Sequence, residues 1–111
     1  MPSLLDDLAT PDGMERFDEL LVRPGVVIER IVSTGQITPV DTPYQQAWDE
    51  WVLLVAGGAR LWIEGQDEIA LAPGDYVLIP AQVRHRVLWT QADPPTVWLA
   101  LHFRDREGSS R

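Results

Sequence analysis

The sequence predicts an all-β fold, and two observations carry that expectation. From Gly25 onward, apolar and β-branched runs recur every eight to twelve residues or so, and each is closed by Gly, Pro or Asp. Strands are accordingly expected near 26–33, 48–56, 58–64, 67–71, 75–79, 85–91 and 96–103. A sandwich, a jelly roll and a small barrel all satisfy this spacing, and periodicity does not choose between them.

Taken in order, residues 1–24 differ from the rest. Asp12-Gly13-Met14-Glu15 reads as a capping box, and Met14, Phe17, Leu20 and Leu21 follow at helical spacing. This segment is expected to be a short amphipathic helical arm packed on a barrel of residues 25–104. Within the barrel, Glu64-Gly65-Gln66-Asp67 closes a hairpin, Ala72-Pro73-Gly74-Asp75 makes a tight corner, and Asp93-Pro94-Pro95 forces a loop. Residues 105–111 offer nothing to bury and are expected to be a disordered tail.

With 111 residues, 45% hydrophobic and 23% charged, the chain fits one globular domain. Seventeen acidic residues against nine basic ones leave a net charge of −8, which repels phosphate backbones and makes nucleic acid an unexpected partner. There is no Cys, so disulfides, thiolate metal sites and cysteine nucleophiles are excluded, and any metal must be held by N and O atoms. Every basic residue is Arg, which removes Schiff-base and phosphate-binding lysines. No apolar run approaches the roughly 18 residues of a membrane span. The start, MPSLLDDLATPDG, carries acids where a secretory signal carries bases, so the expected location is cytoplasmic.

The stretch from Glu50 to Val87 holds the most specific pattern. Gly74 turns the chain into a strand, Pro80 stands six positions later and His85 five beyond that. This spacing resembles the second motif of the cupin superfamily, and the resemblance covers about residues 26–103. It implies a cupin-type antiparallel β-barrel, or jelly roll. In the first motif, metal-binding cupins offer two histidines two apart and a glutamate four after the second. Here Glu50 keeps the glutamate, while Tyr44 and Gln46 stand where the histidines would be.

His85 is the strongest site candidate, because imidazole is the commonest nitrogen ligand for Zn, Fe, Ni or Mn. The plain alternative is a hydrogen-bonded barrel histidine. Glu50 would supply a carboxylate oxygen or a general base. Gln46 and Tyr44 offer an amide oxygen and a phenol, weaker ligands but apt hydrogen-bonders for a polar molecule. Tyr44, Gln46 and Glu50 share strand parity with Val52 and Leu54, which describes polar groups above a packed floor. His102 shares parity with Trp98 and Ala100; turned inward it would complete a metal set of Gln46, Glu50, His85 and His102, and turned outward it is surface. Trp48 and Trp89 have the parity of cavity walls or of ordinary core.

These residues predict a small-molecule site with a divalent metal held by Glu50, His85 and one or both of Gln46 and His102. If catalytic, the resemblance implies isomerase, lyase or oxygenase chemistry. The alternative, favoured by the missing motif histidines, is a metal-free, non-catalytic cupin module that binds a small ligand or a protein. Residues 51–55, WVLLV, are apolar on both faces, and Trp62 sits on an otherwise polar face, so a homodimer using Trp51 or Trp62 is expected.

Overall fold

A computed structural model describes residues 1–106, all of them in strands, turns and loops. Among the described residues eight strands form: β1 Arg16–Arg23, β2 Val26–Ser33, β3 Glu50–Ala56, β4 Ala59–Ile63, β5 Ile69–Leu71, β6 Tyr76–Ile79, β7 His85–Thr90 and β8 Thr96–His102. They make a five-stranded sheet in the order β1-β2-β8-β3-β6 and a three-stranded sheet in the order β5-β4-β7. Every pairing is antiparallel. The two sheets face each other but are not closed into one hydrogen-bonded barrel, so the expected barrel is an open jelly-roll sandwich. No helix among the described residues is long and apolar enough to cross a membrane.

Side-chain alternation fixes which face is inside. Across the large sheet, Val27, His102, Glu50 and Ile79 stand in one register row, and Glu29, Ala100, Val52 and Val77 in the next. Ile31, Trp98 and Leu54 make the third. Apart from Val27, the apolar members of these rows pack against Leu61, Ile63 and Leu71 of the small sheet to form the core. Each strand thus presents one face to the core and the other outward, as the period of two requires.

The expected N-terminal helical arm is a strand instead. Pro11–Met14 forms a turn, with the Met14 N–H donating to the Pro11 carbonyl at 3.1 Å, and Gly13 adopts a φ of 69° there. The apparent capping box is therefore a loop before β1. A bulge between Glu19 and Leu21 inserts an extra residue, so the apolar side chains lose their spacing of two and imitate a helical one. The segment before it does lie on the body: Arg30 donates to the carbonyls of Leu4 and Asp7 and pairs with Asp18 at 2.7 Å.

The turns fall where the sequence places them. Gln66 N–H donates to the Ile63 carbonyl at 3.0 Å in the β4–β5 hairpin, and Asp75 N–H to the Ala72 carbonyl at 2.9 Å in the corner before β6. Gly57, between β3 and β4, has a φ of 86°, and a Cβ there would stand 2.7 Å from the Thr96 Cα, so only glycine fits. Of the expected tail, Asp105 accepts a hydrogen bond from the Gly25 N–H at 2.6 Å, while residues 107–111 lie outside the described residues.

Candidate functional site

Tyr44 is fastened to the start of β7 by two backbone hydrogen bonds. Its N–H donates to the His85 carbonyl and its carbonyl accepts from the His85 N–H, both at 2.9 Å. This bridge draws the loop between β2 and β3 across one end of the sandwich and sets the two rings 5.5 Å apart. Two residues on, the Gln46 carbonyl accepts from the Gln82 N–H at 2.7 Å. The two residues in the histidine positions of the first motif are thereby held over His85 and Glu50.

Glu50 opens β3, between His102 of β8 and Ile79 of β6, and is buried. Its Oε1 accepts from Gln46 Nε2 at 2.7 Å. Its Oε2 lies 3.9 Å from His102 Nε2, beyond hydrogen-bond distance, and so keeps its lone pairs.

His85 is only 5% exposed. Its Nδ1 stands 3.3 Å from the Val83 carbonyl; a carbonyl can only accept, so Nδ1 carries the proton and Nε2 is an acceptor. No hydrogen bond among the described residues reaches that Nε2. Burial pushes the His85 pKa below the usual imidazole value, against the opposing pull of the Glu50 charge and of the Val83 bond.

Between the sheets these groups border a cavity of about 90 Å³. Tyr44, Gln45, Gln46, Glu50 and His85 supply one polar cluster. Val52, Leu61, Ile79, Val87 and Trp98 form the apolar body, and Glu15, Phe17 and Ile31 contribute from the β1–β2 side. Glu15 accepts a hydrogen bond from the Ser33 hydroxyl, which in turn accepts from Trp98 Nε1 at 3.1 Å. Tyr44, Gln46, Glu50 and His85 thus converge on one cavity.

His102 points inward as well but lies behind the cavity wall. Trp48 Nε1, which can only donate, gives its proton to His102 Nδ1 at 2.9 Å, so the imidazole proton sits on Nε2 and is donated to Glu29 Oε1 at 2.8 Å. Both ring nitrogens are occupied, and His102 has no lone pair to offer a metal. Trp48, expected as a cavity wall, is buried beside this imidazole, with the Arg104 guanidinium 4.5 Å from its ring centroid. Trp89 also leaves the cavity. A bulge in β7 shifts the register, so that Leu61 pairs with Val87 but Arg60 pairs with Trp89. The shift turns Trp89 to the outside, where it is 46% exposed and packs over Gly58.

The Cupin domain family model matches residues 31–102. The chain belongs to the cupin family. Among solved structures, it is similar to a protein from Ralstonia eutropha JMP134 provisionally named a mannose-6-phosphate isomerase. That similarity has a TM-score of 0.88 and 42% identity, over 94% of this cupin and 97% of the other chain. A cupin superfamily protein from Desulfitobacterium hafniense DCB-2 aligns with a TM-score of 0.71 and 18% identity, over 87% and 84% of the two chains. KdgF from Halomonas sp. aligns with a TM-score of 0.68 and 20% identity, over 84% and 82%. The last two show the fold alone. No curated protein sequence matches this cupin.

The divalent metal implied by the fold finds a poor donor set here. Among the described residues, no three His, Cys, Asp or Glu side chains gather where an ion could sit. Glu50 Oε2 and His85 Nε2 remain, with the Gln46 amide oxygen as a weak third, whereas catalytic zinc sites use three strong protein ligands. The residues present do not fit a tightly held ion.

Two residues essential to this arrangement escaped the sequence reading. Glu29 looks like one acid in an apolar strand, VVIERIVS, yet it has the parity of Val27 and Ile31, which marks it as inward. Trp98 shares parity with His102 in the sequence, and the register Ile31↔Trp98↔Leu54 places it in the cavity wall.

Proposed function

We propose that this cupin binds a small polar organic molecule in the cavity beneath Tyr44, recognised by Glu50 and His85, without a resident metal. One observation carries the reading: Glu50 Oε2 and His85 Nε2, both on buried side chains and both lacking a hydrogen-bond partner, border the same otherwise largely apolar cavity. Both atoms face the cavity with lone pairs uncommitted to the protein, so a ligand that donates to them gains hydrogen bonds on the order of 0.5–3 kcal/mol each. An apolar body with a few convergent polar groups is the ordinary make-up of a small-molecule site.

A catalytic reading rests on the same pair. A carboxylate and an imidazole with free lone pairs are both able to take a proton, which suits isomerisation or elimination next to a carbonyl. The similarity to the Ralstonia protein supports isomerase chemistry as the second choice. Binding is put first because it requires only the geometry described.

The test is ligand-dependent stabilisation followed by thermal unfolding, with separate panels of small amines, alcohols, carboxylic acids and sugars, on wild type and on His85→Ala. At least one panel is expected to raise the wild-type Tm and to lose that effect in the variant. Stabilisation that persists unchanged in His85→Ala overturns the site. Near-stoichiometric metal in purified untagged protein overturns the metal-free part.

A further inference from the structure

Two carboxylates and an imidazole lone pair border the cavity, and no cationic side chain lines it among the described residues; that charge asymmetry restricts the ligand. His85 Nδ1 spends its proton on the Val83 carbonyl, leaving Nε2 as a lone pair. Glu50 presents Oε2, and Glu15 brings a second carboxylate to the lining. Gln46 Nε2 gives one N–H to Glu50 and Gln45 Nε2 gives one to the Gln82 carbonyl at 2.9 Å, and these neutral amides carry no charge to answer an anion. Among the described residues no Arg lines the cavity, and the chain contains no Lys.

From this, and resting on the binding role proposed above, we infer that the cavity takes a small protonated amine and rejects phosphate esters and carboxylic acids. An ammonium group brings up to three donors and a positive charge to a place with two carboxylates and an imidazole lone pair. Tyr44, Phe17 and Trp98 add aromatic surface, which attracts cations. The net charge of −8 raises the local concentration of cations around the whole molecule. An anionic ligand would meet the same charges as repulsion, with no guanidinium or ammonium to answer it. A bare divalent ion would use the same acceptors but would have to complete its coordination with water among Val52, Ile79 and Val87.

Volume sets the size of the part of the ligand that is buried. A closed cavity of about 150 Å³ accommodates benzene, so about 90 Å³ corresponds to a buried portion of roughly four heavy atoms. At no more than about 1.5 kcal/mol per heavy atom, such a ligand reaches tens of micromolar at best, and millimolar binding is the reasonable expectation.

The experiment is an NMR titration of the full chain in EDTA, following the indole N–H of Trp98 and the imidazole of His85. The probes are propylammonium, 1-propanol, propionate and mannose 6-phosphate. Propylammonium is expected to shift both signals with at least about tenfold tighter affinity than propanol, and the two anions are expected to leave them in place. Glu50→Gln should weaken propylammonium by about tenfold or more; should that variant not fold, Glu15→Gln serves, with a smaller loss. Propanol or either anion binding at these signals as tightly as propylammonium overturns the charge preference and leaves the cavity as a ligand site. If these four probes fail while another compound from the screen moves both signals, the amine inference falls and the binding role stands. If nothing moves them, both fall.

Discussion

Trp48 and His102, 54 positions apart, are joined by a buried hydrogen bond of 2.9 Å from the indole N–H to the imidazole Nδ1. That contact decides the tautomer of His102 and commits its Nε2–H to Glu29. A residue that a ligand set would enlist as a metal ligand is instead a brace between the loop before β3 and the far side of the sheet.

Trp48→Phe keeps an aromatic ring at this place but leaves Nδ1 without its donor. The variant is expected to lose about 1–3 kcal/mol of stability, read from urea unfolding. A loss below about 0.5 kcal/mol would mean that the bond contributes nothing beyond packing.

Replacing the Gln46 amide by an imidazole supplies the ligand that the first motif lacks. Gln46→His is expected to tighten Ni or Zn binding by about tenfold or more over wild type, about 1.4 kcal/mol, and Tyr44→His to tighten it further. His85→Ala should abolish what weak binding there is. Calorimetric titration checks the series. Equal affinities in all variants would mean that positions 44 and 46 do not face a common point with Glu50 and His85.

The parts of this architecture that were legible in the sequence are those set by local chemistry. Gly74, Pro80 and His85 mark a turn, a strand end and a buried imidazole by residue type and spacing, and the strands from β2 to β8 follow from alternation and turn residues. What was not legible depends on register across strands. The bulge in β1 gave an edge strand the spacing of a helix, and the bulge in β7 reversed Trp89. The direction of His102 was undecidable from its own strand, because Trp98, Ala100 and His102 face inward only once β2 and β3 are paired on either side.

His85 also makes stability depend on pH. Burial holds its folded pKa below the ordinary imidazole value of about 6.5, so in acid the unfolded chain takes up this proton before the folded one does. The contribution is complete above about pH 6.5 and declines as pH falls from there toward the lowered folded value. Thermal unfolding of wild type and His85→Gln at matched pH should therefore converge on acidification through this window, carboxylate effects being common to both. A difference that stays constant from pH 7.5 to about pH 5 would remove His85 as the source.

The last prediction concerns the outer face of the large sheet. Leu21, Ile28, Leu101, Trp51 and Leu78 stand in one register row across all five strands, on the side away from the cavity. Leu78 is 49% exposed and Tyr76, 5.4 Å ring to ring from Trp51, is 67% exposed. The row carries no charged side chain, although the chain has a net charge of −8. Two copies of so acidic a chain repel one another least where a patch is free of acids; the nearest acid on this face, Asp18 in the next row, is paired with Arg30 and Arg16, which favours this row as the place for a two-fold contact. Trp62 is less suited to that role, since it lies half-buried between the Arg60–Glu68 and Arg84–Glu64 ion pairs. We therefore propose a homodimer through the Trp51 face. Sedimentation equilibrium at micromolar concentration should give a dimer that strengthens between low salt and about 0.15 M, as a Debye length near 8 Å screens the remaining repulsion. Leu78→Glu should give a monomer whose intrinsic stability changes by no more than about 0.5 kcal/mol, because the side chain is at the surface. A wild-type protein that sediments as a monomer in both salts overturns the proposal, and so does a Leu78→Glu variant that still sediments as a dimer.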